Sequence, residues 1–219
     1  MTRKIALVTG ASRGLGTALA ETLAGRGWHV VAVARTVGGL EDLDDRVKAA
    51  GHAEAVTLAP MDVTDDGAMR HLCRSIYDRW GGLQFWAHTA IHATALSPAP
   101  SVEMKDLDKS VAVNLRATAF LIGMVDPLLQ MGQGMAMFFD DPLPGHPFAA
   151  AYGTTKAAQI ALARSWQAET RRIGPQVRIE TPAPMPTAVR ARFYPGEDRS
   201  TLADPRAEAV RLLDGAFAA

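Results

Sequence analysis

Several things are scarce in this sequence, and each shortage removes a class of protein. Cys73 is the only cysteine among 219 residues, which leaves no intrachain disulfide and no cysteine-rich zinc cluster. Net charge is missing too, because 23 Lys plus Arg balance 23 Asp plus Glu. Without a positive excess, or a basic block interleaved with aromatics, nothing draws in nucleic acid or an anionic membrane surface. No uninterrupted apolar run approaches the ~20 residues of a membrane span, and the first apolar segment begins at once from Lys4. These absences lead to the expectation of a soluble, cytoplasmic protein. His88 and His92 stand four apart but lack further ligands nearby, so no metal site is expected. There is no internal repeat and no low-complexity tail, and the length fits a single domain over 1–219.

What is present begins with Lys4-Ile5-Ala6-Leu7-Val8-Thr9, a short buried strand, followed directly by Gly10-Ala11-Ser12-Arg13-Gly14-Leu15-Gly16. Leu15, Leu19 and Leu23 then recur at helical spacing. A strand, a glycine turn and a helix together present free backbone N–H groups and a positive helix end to a diphosphate. Gly10 permits the turn, Gly14 lets the backbone approach a ligand, and Gly16 lets helix and strand pack closely.

The rest of the chain alternates. Apolar runs predict strands near 4–9, 28–34, 54–60, 83–87, 133–139 and 176–181. Helical periodicity predicts helices near 14–26, 38–50, 65–80, 103–131, 149–173 and 204–217, the last capped by Asp204 with Pro205 behind it. Alternation of this kind implies a parallel sheet covered on both faces. Pro-rich loops at 98–100, 142–147 and 182–186 each follow a strand, where open α/β sheets bind their ligands.

Tyr152 and Lys156 lie one helical turn apart and project from the same face. An ammonium beside a phenol favours phenolate, as proton exchange with an alcohol or carbonyl oxygen near neutral pH requires. The same spacing also occurs on solvated helix faces.

Taken together, these residues resemble the short-chain dehydrogenase/reductase family over nearly the whole chain. The resemblance rests on Thr9 to Gly16, on Asp62-Val63 after the third strand, on Asn114 in the long helix, and on Tyr152 with Lys156. Pro182-Ala183-Pro184-Met185-Pro186-Thr187 is a weakened form of the family's Pro-Gly-x-x-x-Thr segment. The resemblance implies a Rossmann-type doubly wound α/β sheet in the order 3-2-1-4-5-6. It implies Tyr152 as general acid or base and Lys156 as the group that lowers its pKa and bonds the nicotinamide ribose. Asn114 would interrupt its helix and hold a relay water, with a polar helix residue as the plainer alternative. Asp62 would contact the adenine, or merely cap a helix. Val63 and Ala90 would flank the nucleotide, Ser12 and Leu15 would line its diphosphate, and Thr187 would touch the carboxamide.

The second strand ends at Arg35-Thr36 without the acid that would select NAD, and Arg13 sits in the glycine turn. Two guanidinium groups at that corner suit a 2′-phosphate, so the expected cofactor is NADP rather than NAD. The alternative is that both are solvated surface arginines.

Three departures from the family pattern stand out. The family's oxygen-binding serine falls, without gaps, on Phe139, with Asp140 next to it. Phenylalanine cannot donate a hydrogen bond, and losing one such donor typically costs ~10²–10³ in rate. Asp140 could substitute only if an apolar pocket kept it protonated; otherwise Asp140-Asp141 is a solvated loop pair. The family's Asn-Asn-Ala-Gly reads His88-Thr89-Ala90-Ile91, which adds bulk beside the nucleotide, although His88 can still bond neighbouring strands. The sequence ends at Ala219, so the family's seventh strand is expected to be absent. A homodimer is then expected through the helices around 103–131 and 149–173. Phe120, Met124, Leu128, Ile160 and Ala161 suit that contact or the chain's own core equally. Arg190 and Arg192 could meet an acidic substrate or a phosphate, or lie on a helix surface.

The functional expectation is an NADP-dependent oxidoreductase of a carbonyl or secondary alcohol, 3-oxoacyl reductase-like, with Tyr152, Lys156, Asn114 and Asp140 at the reacting end. The rival is a catalytically impaired dinucleotide-binding homologue with a regulatory or partner-binding role.

Overall fold

A computed structural model describes residues 4–218. Its six strands are β1 (Ile5–Thr9), β2 (His29–Ala34), β3 (Val56–Pro60), β4 (Phe85–His88), β5 (Met135–Phe139) and β6 (Gln176–Glu180). They form one parallel sheet in the order β3-β2-β1-β4-β5-β6. This is the order the family resemblance implied. The chain winds outward from β1 to β3, returns to β4, and winds the other way to β6. The loops leaving β1 and β4 therefore part in opposite directions and open a crevice at their carboxyl ends.

Period-2 alternation sends side chains of each strand to two separate cores. Ile5, Leu7, Val31, Val33, Trp86 and Phe138 face one side. There they meet α3 (Asp66–Trp80), the helix running from Met104 to Gly132, and α6 (Ala150–Glu169). Ala6, Val8, Val30, Ala32, Phe85, Met137 and Phe139 face the other side. That side is covered by α1 (Gly14–Gly25), α2 (Val37–Ala49) and α8 (Pro205–Phe217). Trp86 packs edge-on against Phe138 at 5.4 Å between ring centroids, with Trp166 of α6 at 6.1 Å from Phe138. Strands buried on both faces explain why β1, β2, β4 and β5 read as near-continuous apolar runs.

Helix ends follow local chemistry. Asp65 accepts from Ala68 N at 2.9 Å to start α3, and Asp204 accepts from Ala207 N at 2.8 Å to start α8. α6 stops at Glu169, short of the expected 173, because Gly174 (φ 129°) and Pro175 turn the chain before β6. The long helix expected over 103–131 is two helices, α4 (Met104–Ser110) and α5 (Ala117–Gly132), joined by a π-helical turn at Val111–Arg116. By length and composition Met104–Gly132 could cross a membrane, which a search for uninterrupted apolar runs misses because Arg116 and Asp126 break the run. Its Val113, Ala117, Leu121, Val125, Leu128 and Leu129 are buried under the sheet, as a core helix requires. A short helix in the loop after β6, α7 (Ala188–Phe193), carries Arg190 and Arg192, as the helix-surface alternative held; Thr187 caps it by accepting from Arg190 N at 3.2 Å.

The first turn depends on close approach. Gly10 has φ 87°, and a Cβ on Gly16 would lie 2.3 Å from Gly10 O and 2.4 Å from Thr89 Oγ1. Gly16→Ala is therefore expected to lower stability by ~1–3 kcal/mol in urea unfolding. Gly123→Ala, on a helix face with open space around it, is expected to raise stability by up to ~1 kcal/mol.

Candidate active site

The crevice holds a cavity of about 510 Å³. One half is lined by Gly10, Ser12, Arg13, Gly14, Leu15 and Gly16 from the first turn, with Arg35 beyond β2. Asp62 and Val63 beyond β3, and Ala90 beyond β4, complete that half, and Thr187 closes it from the opposite wall. The amino end of α1 has no side-chain cap and no acid in its first turn, so its positive end opens into the cavity uncompensated. Arg13 makes no ion pair among the described residues. Arg35 lies 3.7 Å from Asp62 Oδ2. Burial pushes the Asp62 carboxyl up, but bonds from the Thr64 N–H (2.9 Å) and hydroxyl (2.8 Å), with Arg35, outweigh it and hold the pKa low.

The other half is built on α6. Tyr152 and Lys156 are both buried, at 4% and 6% exposure, and both line the cavity. The Tyr152 hydroxyl donates to Asp141 Oδ2 at 2.7 Å, and its ring packs on Phe193 at 4.9 Å. Burial, the Asp141 charge and the Asp141 bond raise the phenol's pKa. The expected lowering by Lys156 is thus reversed in this geometry. Lys156 Nζ donates to Gln159 Oε1 at 2.8 Å instead, and burial brings its pKa down to about 8.

Behind the cavity runs a chain of buried polar groups. Gln159 Nε2 donates to Thr118 Oγ1 at 3.0 Å, and Thr118 donates to the Asn114 carbonyl at 2.8 Å. The ring of His88 bridges Thr118 Oγ1 at 2.9 Å and Thr9 Oγ1 at 2.8 Å. Since Thr118 spends its proton on Asn114, the bond from His88 is an Nε2–H donation, and Nδ1 accepts from Thr9. Full burial and nearby Lys156 bring the His88 pKa down to about 3, so the imidazole is neutral. His88 thus links strands, as its sequence position suggested. The Asn114 side chain clamps the loop after β4. Its Oδ1 accepts from His92 N at 2.7 Å, and its Nδ2 donates to His92 O and Thr155 Oγ1, each at 2.9 Å. Its place in a π turn matches the expected helix interruption.

The end of β5 differs from the sequence reading. Phe139 turns into the core under α8 and not toward α6. The Asp140 carboxylate reaches Arg164 at 3.1 Å on the flank of α6, although the residue still borders the cavity. Asp141 is the residue that meets Tyr152, and it also accepts from Leu143 N at 2.9 Å. Neither Asp141 nor Gln159 was singled out in advance. The available signal for Gln159 was an amide on the buried stripe of α6, three residues after Lys156. Arg190 pairs twice with Glu197, at 2.6 and 2.5 Å, and Arg192 donates to Ala93 O. The Arg190 charge is thus met by Glu197, whereas Arg192 ties α7 to the loop after β4 through a neutral carbonyl.

A family model described as short chain dehydrogenase matches residues 4–198. An uncharacterised oxidoreductase of Staphylococcus aureus strain MW2 is 27% identical over 216 residues, covering 96% of this chain and 90% of that protein. A very-long-chain 3-oxoacyl-CoA reductase-like protein of Arabidopsis thaliana is 26% identical, covering 81% of this chain but 58% of its own length. Among solved structures, a metagenomic short-chain oxidoreductase in complex with NADP superposes with a TM-score of 0.77 at 25% identity. That match covers 97% of this chain and 90% of the other.

Burial of Lys156 has a measurable consequence. Its folded pKa, about 8, lies below the ordinary 10.5, so below pH 8 the fold carries a desolvated charge. That cost fades as pH rises from about 8 to 10.5. Lys156→Met removes that charge but leaves Gln159 Oε1 unbonded, so the variant's stability relative to the parent is expected to be highest below pH 8 and to fall by up to about 3 kcal/mol toward pH 10.5 in urea titrations.

Proposed function

The chain is an oxidoreductase of the short chain dehydrogenase family, and we propose that it transfers hydride between NADP and a carbonyl or secondary alcohol. The observation that carries this reading is the shared cavity, in which the uncapped end of α1 faces the Tyr152–Lys156 pair. The cleft fits a dinucleotide phosphate. Free amides of the first turn suit the diphosphate, and Arg13, with Arg35 beside it, suits a 2′-phosphate. NADP, when bound, supplies or takes up hydride at its nicotinamide ring.

The protein's own part is positional and acid–base. Tyr152 gives its phenolic proton to the substrate oxygen in reduction and takes it back in oxidation, after exchanging its bond to Asp141 for one to substrate. Lys156 brings positive charge beneath the developing oxyanion and holds the nicotinamide ribose. Gln159, Thr118 and His88 fix Lys156 from behind, and Asn114 fixes the loop that forms the cavity wall. Asp62, Val63 and Ala90 would flank the adenine half, and Thr187 would meet the carboxamide. Ile91, Leu143, Met185, Val189 and Phe193 give the substrate end apolar walls, in which a 3-oxoacyl chain is one candidate. The solved NADP complex of the metagenomic relative supports the choice of cofactor. A homodimer through the helices around 103–131 and 149–173 belongs to the same reading. Phe120 and Met124 are only partly buried there, whereas Leu128 and Ile160 belong to the chain's own core.

One observation favours the rival, a catalytically impaired dinucleotide-binding protein: the two catalytic groups are engaged elsewhere, Tyr152 by Asp141 and Lys156 by Gln159. Turnover with NADPH across ketones, aldehydes and 3-oxoacyl thioesters separates the two. Tyr152→Phe is expected to cut the rate ~10²–10⁴-fold with NADPH affinity unchanged; NADPH binding without turnover in the parent would favour the rival. Arg13→Ala combined with Arg35→Ala is expected to weaken NADPH at least about tenfold, leaving NADH nearly untouched in fluorescence titrations. Equal loss for both nucleotides would refute the phosphate assignment.

A further inference from the structure

Three carboxylates line the cavity, and two have arginine neighbours: Asp62 has Arg35 at 3.7 Å and Asp140 has Arg164 at 3.1 Å. Asp141 has no ion pair among the described residues. Its two bonds come from neutral donors, the Tyr152 hydroxyl at 2.7 Å and the Leu143 N–H at 2.9 Å. It is half-buried among Leu143, Tyr152 and Phe193. Lys156 and Arg190 act on this carboxylate only from a distance, without an ion pair, so it keeps its negative charge directed at whatever atom the phenol addresses.

That charge discriminates between substrates. Reducing a carbonyl builds negative charge on oxygen, which Asp141 repels, and requires the proton that Tyr152 already shares with Asp141. A protonated carbon–nitrogen double bond has the opposite needs. Its N–H⁺ donates to a carboxylate in a charge-assisted bond, and the carboxylate keeps the nitrogen protonated and its carbon electrophilic.

We propose that the Asp141–Tyr152 corner receives the protonated nitrogen of a substrate, an iminium in the reducing direction and, in the oxidising direction, a secondary ammonium that gives one proton to water before hydride leaves the adjacent carbon. This activity rests on the hydride transfer proposed above and puts a carbon–nitrogen substrate in place of the carbonyl. In the reducing step the iminium carbon gains hydride from NADPH and a C–H bond forms. The π pair of the C=N bond becomes the nitrogen lone pair, leaving a neutral amine and NADP⁺. No proton is consumed in that step, so Tyr152 keeps its bond to Asp141. The amine takes a proton from water as it leaves.

The test uses matched five-membered rings. Pyrrolidine, protonated at pH 7.5, and cyclopentanol are titrated calorimetrically into the full-length protein, with and without NADP⁺. Turnover of 2-methyl-1-pyrroline and of cyclopentanone with NADPH is measured in parallel. Pyrrolidinium is expected to bind at least about tenfold tighter than cyclopentanol, and the imine is expected to turn over faster than the ketone. Asp141→Asn is expected to erase the preference for the cation. Tyr152→Phe, which leaves the carboxylate in place and frees it, is expected to retain it, and it serves if the asparagine variant misfolds. Equal binding of the two rings by the parent protein overturns the proposal, as does a cation preference that survives Asp141→Asn. Failure of NADP⁺ to bind while the cation preference stands would instead count against the hydride-transfer reading.

Discussion

The cleft depends on one run of buried hydrogen bonds, Thr9–His88–Thr118–Gln159–Lys156, which crosses from β1 through β4 and α5 to α6. Each member is at most 6% exposed, so no water compensates a lost partner, and each broken bond leaves a desolvated polar group behind. The geometry is fixed for that reason. It sets the tautomer of His88, the height of Lys156 on its helix and, through Thr118 and the Asn114 carbonyl, the π turn at the crossing. A histidine that reads as a departure from the family pattern is in this sense the central rivet of the site.

The same run changes what Lys156 does. Its ammonium is committed to Gln159 and makes no hydrogen bond to Tyr152. Asp141 holds the phenol from the other side and keeps its proton on. The cavity is therefore polarised along its length. Helix-end amides and arginines gather where phosphates would lie, while a carboxylate sits where the reacting bond would lie. A neutral chain can still carry such a field, because the sheet's switch point brings the carboxyl ends of widely separated strands into one crevice.

How much could be read in advance differs by feature. Strand and helix positions were visible because buried parallel strands give apolar runs and flanking helices give 3.6-residue periodicity; most ends moved by one or two residues, α6 stopped four early before Gly174-Pro175, and a π turn split the long helix. The glycine turn, Arg35, Asp62, Thr187, Tyr152 and Lys156 do meet at one cavity, since each sits at a strand's carboxyl end or on a helix beside it. The helix after Thr187 was legible only as a surface for Arg190 and Arg192, without bounds, because so few turns carry too little periodicity. The roles at the end of β5 were misassigned for a simpler reason. Counting residues without gaps cannot say which way a strand's last side chain points, and Phe139 points to the core beneath α8.

Local order, then, was written in the chain: hydrophobic period and turn chemistry act within a few residues and need no partner. Which of two adjacent aspartates reaches the phenol, and whether the lysine answers to a tyrosine or a glutamine, are contacts between residues three to eleven positions apart. Such contacts are settled by sheet pleat, helix phase and the penalty on buried unpaired polar atoms acting together. Those constraints exist only once β4, β5, α5 and α6 have packed, and so the chemistry of the corner belongs to the folded molecule.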